Sequence, residues 1–305
     1  MSGLRARAGE YLAMRRALGF KLVSQGPRLM SFVRFCEERG EGRVTAGLAV
    51  EWATATSGDE VNQARRLDVV RIFARHLQAL DPATEVPADD VLSRRYRRIP
   101  PYLYSPEEVS ALVSAAGGLR PAIRAAGWQA LIGLLAVTGM RPGEACRLGR
   151  GDVDLDAGTI VIADSKFGKS RMVFLHPTAV TMLRAYARVR DEAFPGAAAF
   201  LVNSCGRPLR GTYLPHVFAP LAEAAGLQAP PGQRAPRLHD LRHVFAVATL
   251  LDWYRDGGDV QARLPVLSTW LGHVDPKSTY WYLQAVPELL ALAAGRLEPA
   301  GEEAR

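Results

Sequence analysis

Apolar residues recur at three- and four-residue spacing along most of this 305-residue chain, a pattern that calls for a mainly helical fold. Tyr11, Leu12, Met14 and Leu18 share one helical face before Gly19, and Leu29, Phe32, Val33, Phe35 and Cys36 form a second face that ends at Gly40. Leu48 to Ala55 reads as a third helix. A fourth, from about Glu60, turns Leu67, Val70, Ile72, Phe73, Leu77 and Leu80 inward and Arg65, Arg66, Arg71 and Arg75 outward. Asp81-Pro82 is a stop signal. These segments predict a compact domain of four or five helices over residues 1–92.

Residues 93–104 break the pattern. Arg94, Arg95, Arg97 and Arg98 crowd against Pro100-Pro101, and a Pro-Pro pair forbids helix and favours an extended segment. This reads as an inter-domain linker. Its bland interpretation is a solvated loop; beside a polyanion it becomes a strap along phosphates. The second domain, 105–298, opens on Ser105-Pro106-Glu107-Glu108, a capping box with proline at the first helical position. Helices are expected at about 105–117, 121–138, 142–149, 177–192, 212–225, 239–253, 262–271 and 276–283. One interruption stands out, where Thr159–Ile162 and Arg171–Phe174 form β-prone runs around a turn containing Gly168. The tail, 299–305, reads as frayed.

A chain of this length ordinarily makes two domains. Its net charge of +7 and pI near 9.6 rest on 34 arginines against four lysines. That balance suits a polyanion better than a neutral metabolite. Cys36, Cys146 and Cys205 are too few and too scattered for a disulfide framework or a zinc site, so a reducing, cytoplasmic compartment is expected. Met1 to Glu10 lacks the apolar core of a signal peptide. Trp128 to Met140, the longest uncharged apolar run, is too short to span a bilayer and reads as a buried helix.

Chemistry concentrates in the second domain. Arg141 lies in Thr138-Gly139-Met140-Arg141-Pro142-Gly143-Glu144, Lys166 in Ser165-Lys166-Phe167-Gly168-Lys169, and His239 and Arg242 in Leu238-His239-Asp240-Leu241-Arg242-His243. His273 follows in Leu271-Gly272-His273, and Tyr282 stands nine residues further on. Two guanidiniums, an ammonium, two imidazoles and a phenol, with no acidic cluster for a metal, suit phosphate chemistry. Arginine makes bidentate contacts to phosphate oxygens with a charge that does not titrate away.

In its order and spacing this set resembles the tyrosine recombinase (phage integrase) family over roughly residues 100–290. The resemblance implies a helical SAM-like core-binding domain followed by a mostly helical catalytic domain with a small β-hairpin. It implies an enzyme that breaks and rejoins DNA through a 3′-phosphotyrosine, with no metal and no cofactor. Tyr282 is then the nucleophile by its offset from Leu-Gly-His, with Tyr280 and Tyr254 as competitors. Arg141 and Arg242 clamp the phosphate. His239, on one helical face with Arg242, is the candidate acceptor of the tyrosine proton, and His273 a phosphate contact. Lys166 is the candidate general acid, with Lys169 its competitor. Lys169 and Arg171 then join Arg94, Arg95, Arg97 and Arg98 as DNA contacts, and Glu144 orients a guanidinium. Duplex DNA, self-assembly to dimer and tetramer, and other recombinases of the same element are the implied partners, with the nucleoid as the place of work.

The stretch from Arg242 to His273 is longer than the common family spacing, with Gly257-Gly258 absorbing the excess. Together with Tyr11 to Phe20 it resembles recombinases carried on transposons and multi-recombinase elements. Other readings keep a place. His239 and His243, four apart, have a metal-binding spacing. An inactive DNA-binding accessory protein and a type IB topoisomerase-like relaxing enzyme would use related residues. Pro287 to Ala294 is a short apolar helix that must bury its face, either on its own domain or, as the resemblance implies, in a neighbouring protomer.

Overall fold

A computed structural model of the chain describes residues 3–56, 60–92, 100–163, 170–230, 232–273, 279, 280, 282 and 287–295. The chain divides into two compact units, Met1–Arg98 and Ile99–Arg305.

Among the described residues, four helices build the first unit: α1 (Leu4–Ala17), α2 (Gln25–Glu38), α3 (Ala46–Thr54) and α4 (Glu60–Gln78). Leu4, Ala8, Tyr11 and Leu12 of α1 meet Leu29, Phe32, Val33 and Cys36 of α2, Trp52 of α3, and Leu67, Val70, Phe73 and Leu77 of α4 in one core. Met14 and Leu18, expected on the inner face of α1, are exposed. The buried residues of α1 follow an i, i+4, i+7, i+8 stripe, and Met14 lies two residues beyond its last member, most of the way round the helix. Ile72 and Leu80 are exposed as well, Ile72 because its neighbour Phe73 takes the inward position. Arg71 departs from its expectation in the opposite sense. It is buried, and its guanidinium donates to the carbonyls of Pro87 (2.9 Å) and Ala88 (2.7 Å) while pairing with Asp68. A buried charge must be paired and hydrogen-bonded, and here those bonds bind the segment after α4 to the helix.

The second unit begins with α5 (Pro106–Gly117). The Ser105 hydroxyl accepts from the Glu108 N–H at 3.2 Å, and the Glu108 carboxylate accepts from the Ser105 N–H at 2.8 Å. Helix α6 (Ala122–Thr138) is buried on nearly every side and forms the centre of the main core. The same core takes in α8 (Pro177–Ala193), α9 (Leu214–Ala224) and a three-stranded antiparallel sheet, β1 (Val153–Asp154), β2 (Thr159–Ile162) and β3 (Arg171–Phe174), in that order. In the β2–β3 register Val161 faces Met172 and Ile162 faces Arg171; Ile160, Ile162 and Val173 point into the core. The helix expected over 142–149 is shorter, α7 (Pro142–Ala145), with a single 3-10 turn at Arg150–Asp152 before β1.

A second, smaller apolar cluster joins α10 (Asp240–Arg255), α11 (Val260–Leu271) and α12 (Pro287–Gly295). Ala246, Val247 and Leu250 of α10 pack with Leu264, Leu267 and Leu271 of α11, and Tyr282 and Leu289 complete the cluster. Leu289 is fully buried, and Glu288 pairs with Arg255 of α10 at 2.8 Å. In this structure, therefore, the final helix is seated on its own chain. No helix among the described residues is long and apolar enough to cross a membrane.

Candidate active site

The site assembles where three chain segments converge on the C-terminal end of α11. The last carbonyls of a helix have no partner inside it and carry the negative end of its dipole. Each of three here receives a guanidinium from a different segment. Arg171, at the start of β3, donates Nε–H to the Trp270 carbonyl at 2.7 Å. Arg242, in the first turn of α10, donates to Leu271 at 2.6 Å, and Arg141, just before α7, donates to Gly272 at 3.1 Å. Gly272 has φ +65°, and a Cβ there would lie 2.8 Å from Arg171 Nη1, so both the turn and the close approach require glycine.

The α6 end completes the frame. Gly139 terminates α6 with φ +62°, and its carbonyl accepts a second bond from Arg242 at 2.9 Å. Trp270 donates its indole N–H to the Thr138 carbonyl at 2.9 Å and stacks on Phe245, so α6, α10 and α11 are tied at one place. One carboxylate serves two of the arginines. Glu144 accepts from the Arg141 backbone N–H (3.0 Å), from Arg141 Nη1 (2.7 Å) and from Arg171 Nη2 (2.7 Å). Burial alone would push its carboxyl up, but the bonds from Arg171 and Arg141 outweigh that and hold it at about 2. Arg242 is 2% exposed; burial, then the nearby Arg141 charge, lower its guanidinium to about 10, which leaves it charged at neutral pH. Among the described residues the site thus sets three guanidiniums against the Glu144 carboxylate.

Around this frame stand three imidazoles and a phenol. His239 precedes α10, and His243 follows one turn later, its ring edge-on to His239 at 5.3 Å between centroids. Tyr282 is 2% exposed, and its hydroxyl lies 3.1 Å from His243 Nδ1. The Tyr282 ring sits 5.4 Å from His243 on one side and 6.3 Å from His273, nearly parallel to it, on the other. His273 Nδ1 contacts the Thr279 hydroxyl (2.7 Å), which contacts Ser268 of α11 (2.6 Å), so the ring is oriented and Nε2 is the nitrogen left for a ligand. Burial before all else lowers the three imidazoles, and the surrounding arginines contribute in the same sense: His273 to about 4, His243 to about 3, and His239 in the same direction. For His243 the neighbouring His239 ranks directly after burial.

The structure gathers Arg141, Glu144, His239, Arg242, His273 and Tyr282 of the sequence reading into this one place. Tyr280, the competing phenol, has an exposed side chain two residues from the buried Tyr282. Arg171 differs from its expected role as a DNA contact. Its side chain is buried, with Nε on Trp270 and Nη2 on Glu144, because register places it opposite Ile162 and directly under the α11 terminus. Lys166, Lys169, Arg94, Arg95, Arg97 and Arg98 lie outside the described residues. The residue that sequence reasoning passed over is His243, weighed there only as a partner of His239 for a metal. Among the described residues no three His, Cys, Asp or Glu side chains are grouped to hold one. The signal for His243 was the four-residue spacing from His239, which puts both residues on one side of the helix start.

Comparison with known proteins places the chain in a family. The family model described as the phage integrase family matches residues 104–288. A chain of Sinorhizobium fredii (strain NBRC 101917 / NGR234) carried under the name integrase/recombinase y4rB is 40% identical over 312 residues, covering 99% of each chain. Tyrosine recombinase XerD of Rhizobium meliloti (strain 1021) is 30% identical over 250 residues, 80% of this chain and 76% of that one. Among solved structures, the Tn1549 transposon integrase in complex with transposon right end DNA shares the fold, with a TM-score of 0.67 at 16% identity over 96% of this chain and 99% of that one. The chain belongs to the phage integrase family: it is a tyrosine recombinase, an enzyme of DNA strand transfer and site-specific recombination.

Proposed function

We propose that this recombinase cuts duplex DNA by attack of Tyr282 on a backbone phosphate, forms a 3′-phosphotyrosine, and rejoins the strand to a new 5′ hydroxyl, as part of the movement of a mobile element. The observation that carries the reading is the surplus of guanidinium charge beside a buried tyrosine. Arg141 and Arg171 share the Glu144 carboxylate, Arg242 is held by backbone carbonyls alone among the described residues, and Tyr282 lies close enough to Arg242 to act on its proton affinity. A buried cluster with unbalanced positive charge favours an anion, and a phosphodiester supplies one.

Phosphoryl transfer asks a protein mainly for positioning and for charge where the transition state develops it. Arg141 and Arg242, fixed by helix-end carbonyls, fit the non-bridging oxygens. His273, with Nδ1 held by Thr279, offers Nε2 to the same phosphate, and His239 approaches from the start of α10. Glu144 and Arg171 hold the frame and do not touch the phosphate. Lys166 protonates the departing 5′ oxygen in this scheme, and the Arg94–Arg98 segment and Lys169 grip the flanking backbone. The protein works on DNA in the nucleoid, as dimers that pair into a tetramer, the assembly named for the lambda integrase bound to a Holliday junction.

The test is a covalent capture. Nicked suicide duplexes with randomised sequence are incubated with the protein, and adducts are recovered on denaturing gels. The parent chain is expected to give an adduct, and Tyr282→Phe to lose it while retaining DNA binding, since only the hydroxyl is removed. An adduct that persists in Tyr282→Phe and disappears in Tyr280→Phe would move the nucleophile and defeat the reading.

A further inference from the structure

Among the described residues, the Tyr282 hydroxyl makes a hydrogen-bond contact with a histidine outside the His-x-x-Arg motif. It is His243, one helical turn further along α10, with Nδ1 3.1 Å from Oη. Resting on the reading of Tyr282 as nucleophile, we propose that His243 Nδ1 is the base that takes the Tyr282 proton, while His239 serves the phosphate.

Three features favour His243. Tyr282 is buried against α10, so bulk water has little access to its hydroxyl, and the proton must pass to a protein group. A general base must lie within about 2.6–3.2 Å of the proton-bearing atom, and His243 meets that condition. His239 instead, at the N-cap of α10, meets the His243 ring at 5.3 Å between centroids and 83°, and its described ring contact is with that imidazole.

The step balances with the groups already named. The Tyr282 O–H bond breaks and an N–H bond forms at His243 Nδ1. The phenolic oxygen bonds to phosphorus, the bond from phosphorus to the 5′ oxygen breaks, and that oxygen takes its proton from Lys166. Rejoining runs the same transfers backwards, with His243 returning its proton to Tyr282.

The surroundings make the base conditional on substrate. Burial first, and then the charges of His239, Arg237, Arg242 and His273, lower the proton affinity of His243, so the free protein keeps this imidazole neutral. A neutral ring has a bare nitrogen able to accept from the phenol. A phosphate entering between Arg141 and Arg242 brings negative charge that offsets those cations and raises the proton affinity of the ring. Proton transfer is then favoured only when a phosphodiester is present to be attacked.

The test uses the full-length protein and a suicide duplex recovered with the parent chain. In His243→Asn, which keeps a polar side chain but takes no proton, adduct formation should slow by about 10²- to 10⁴-fold, the usual range for a general base, with DNA affinity within about threefold of the parent. Replacing Tyr282 by difluorotyrosine, whose phenol gives up its proton more readily, should restore at least about tenfold of the His243→Asn rate and leave His239→Asn unrescued. A merely structural loss would not respond to the acidity of the phenol. Should His243→Asn fail to bind DNA, His243→Gln carries the same comparison. Parent-like cleavage in either variant overturns the proposal, as does rescue confined to His239→Asn. Failure of Tyr282→Phe to abolish the adduct would instead remove the underlying reading, so the two failures are distinguishable.

Discussion

Glu144 shows how one residue holds the site together. Its carboxylate is buried, and it bonds Arg141 and Arg171 at 2.7 Å each. Removing one partner from a buried ion pair costs about 3–5 kcal/mol, because the charge left behind is uncompensated. Glu144→Gln keeps the volume and deletes the charge, so it should lower stability at pH 7 and reduce cleavage without changing the nucleophile. The pH dependence has a definite sign. The carboxyl is held at about 2 in the fold, below the ordinary glutamate value of about 4.3, so its contribution is full above that value and is lost as pH falls toward 2. Thermal unfolding of parent and variant should therefore differ most near pH 7 and converge between about pH 4 and 2. A gap independent of pH would show that the carboxylate charge is not what matters. Sequence made Glu144 legible as an orienting residue, one turn from Arg141. It did not reveal that Arg171 shares it, since the contact spans 27 residues and depends on the register of β3. His243 stayed hidden for a similar reason: spacing placed it on the right face, but only the fold brings Tyr282, 39 residues away, against it.

At the scale of elements, helix ends matter more than helix bodies. The C-terminal end of α11 supplies carbonyls to three arginines, and the end of α6 supplies one more to Arg242 through Gly139. Gly139 sits at φ +62°, and an added Cβ would lie 2.5 Å from the Phe245 ring. A left-handed residue other than glycine costs about 1–2 kcal/mol before any clash. Gly139→Ala should thus destabilise by more than that in denaturant unfolding, and it should slow cleavage by shifting the carbonyl that holds Arg242. Adding Phe245→Ala removes the clash but leaves the backbone strain and creates a cavity, so it should not restore cleavage. Full recovery in the double variant would place the whole effect in the ring contact. The β2 and β3 bounds were legible residue by residue, because β-prone runs stand on either side of Gly168 in the sequence. The length of α7 was not. Nothing in Cys146-Arg147-Leu148 forbids helix, and the chain leaves it to reach the 3-10 turn and β1. Arg71, read as an outward charge from helical periodicity, is buried because the segment after α4 folds back over it.

For the whole molecule the decisive element is α12. It closes the smaller apolar cluster with Leu289, beside the Tyr282 that the same cluster holds, and Glu288 pairs with Arg255. Seating this helix on its own chain satisfies its apolar face in the free protein. Assembly on DNA, as proposed here, would need the same face to pass to a neighbour, in a head-to-tail exchange that closes a ring. A helix of nine residues has little stability alone, so its seat decides where it rests. Leu289→Ala removes the anchor without shortening the chain. Truncating a buried leucine costs about 2–5 kcal/mol where the site cannot collapse, and the lower part of that range suits a peripheral helix. The variant should unfold at lower temperature, bind a single target site nearly as well as the parent, and lose cooperative occupancy of paired sites in band-shift titrations. Arg255→Ala, which deletes only an exposed pair worth about 0–1 kcal/mol, should leave all three readouts close to the parent. If Leu289→Ala lowers stability while cooperativity and recombination persist in full, α12 serves its own domain alone and the tetramer is held by other surfaces.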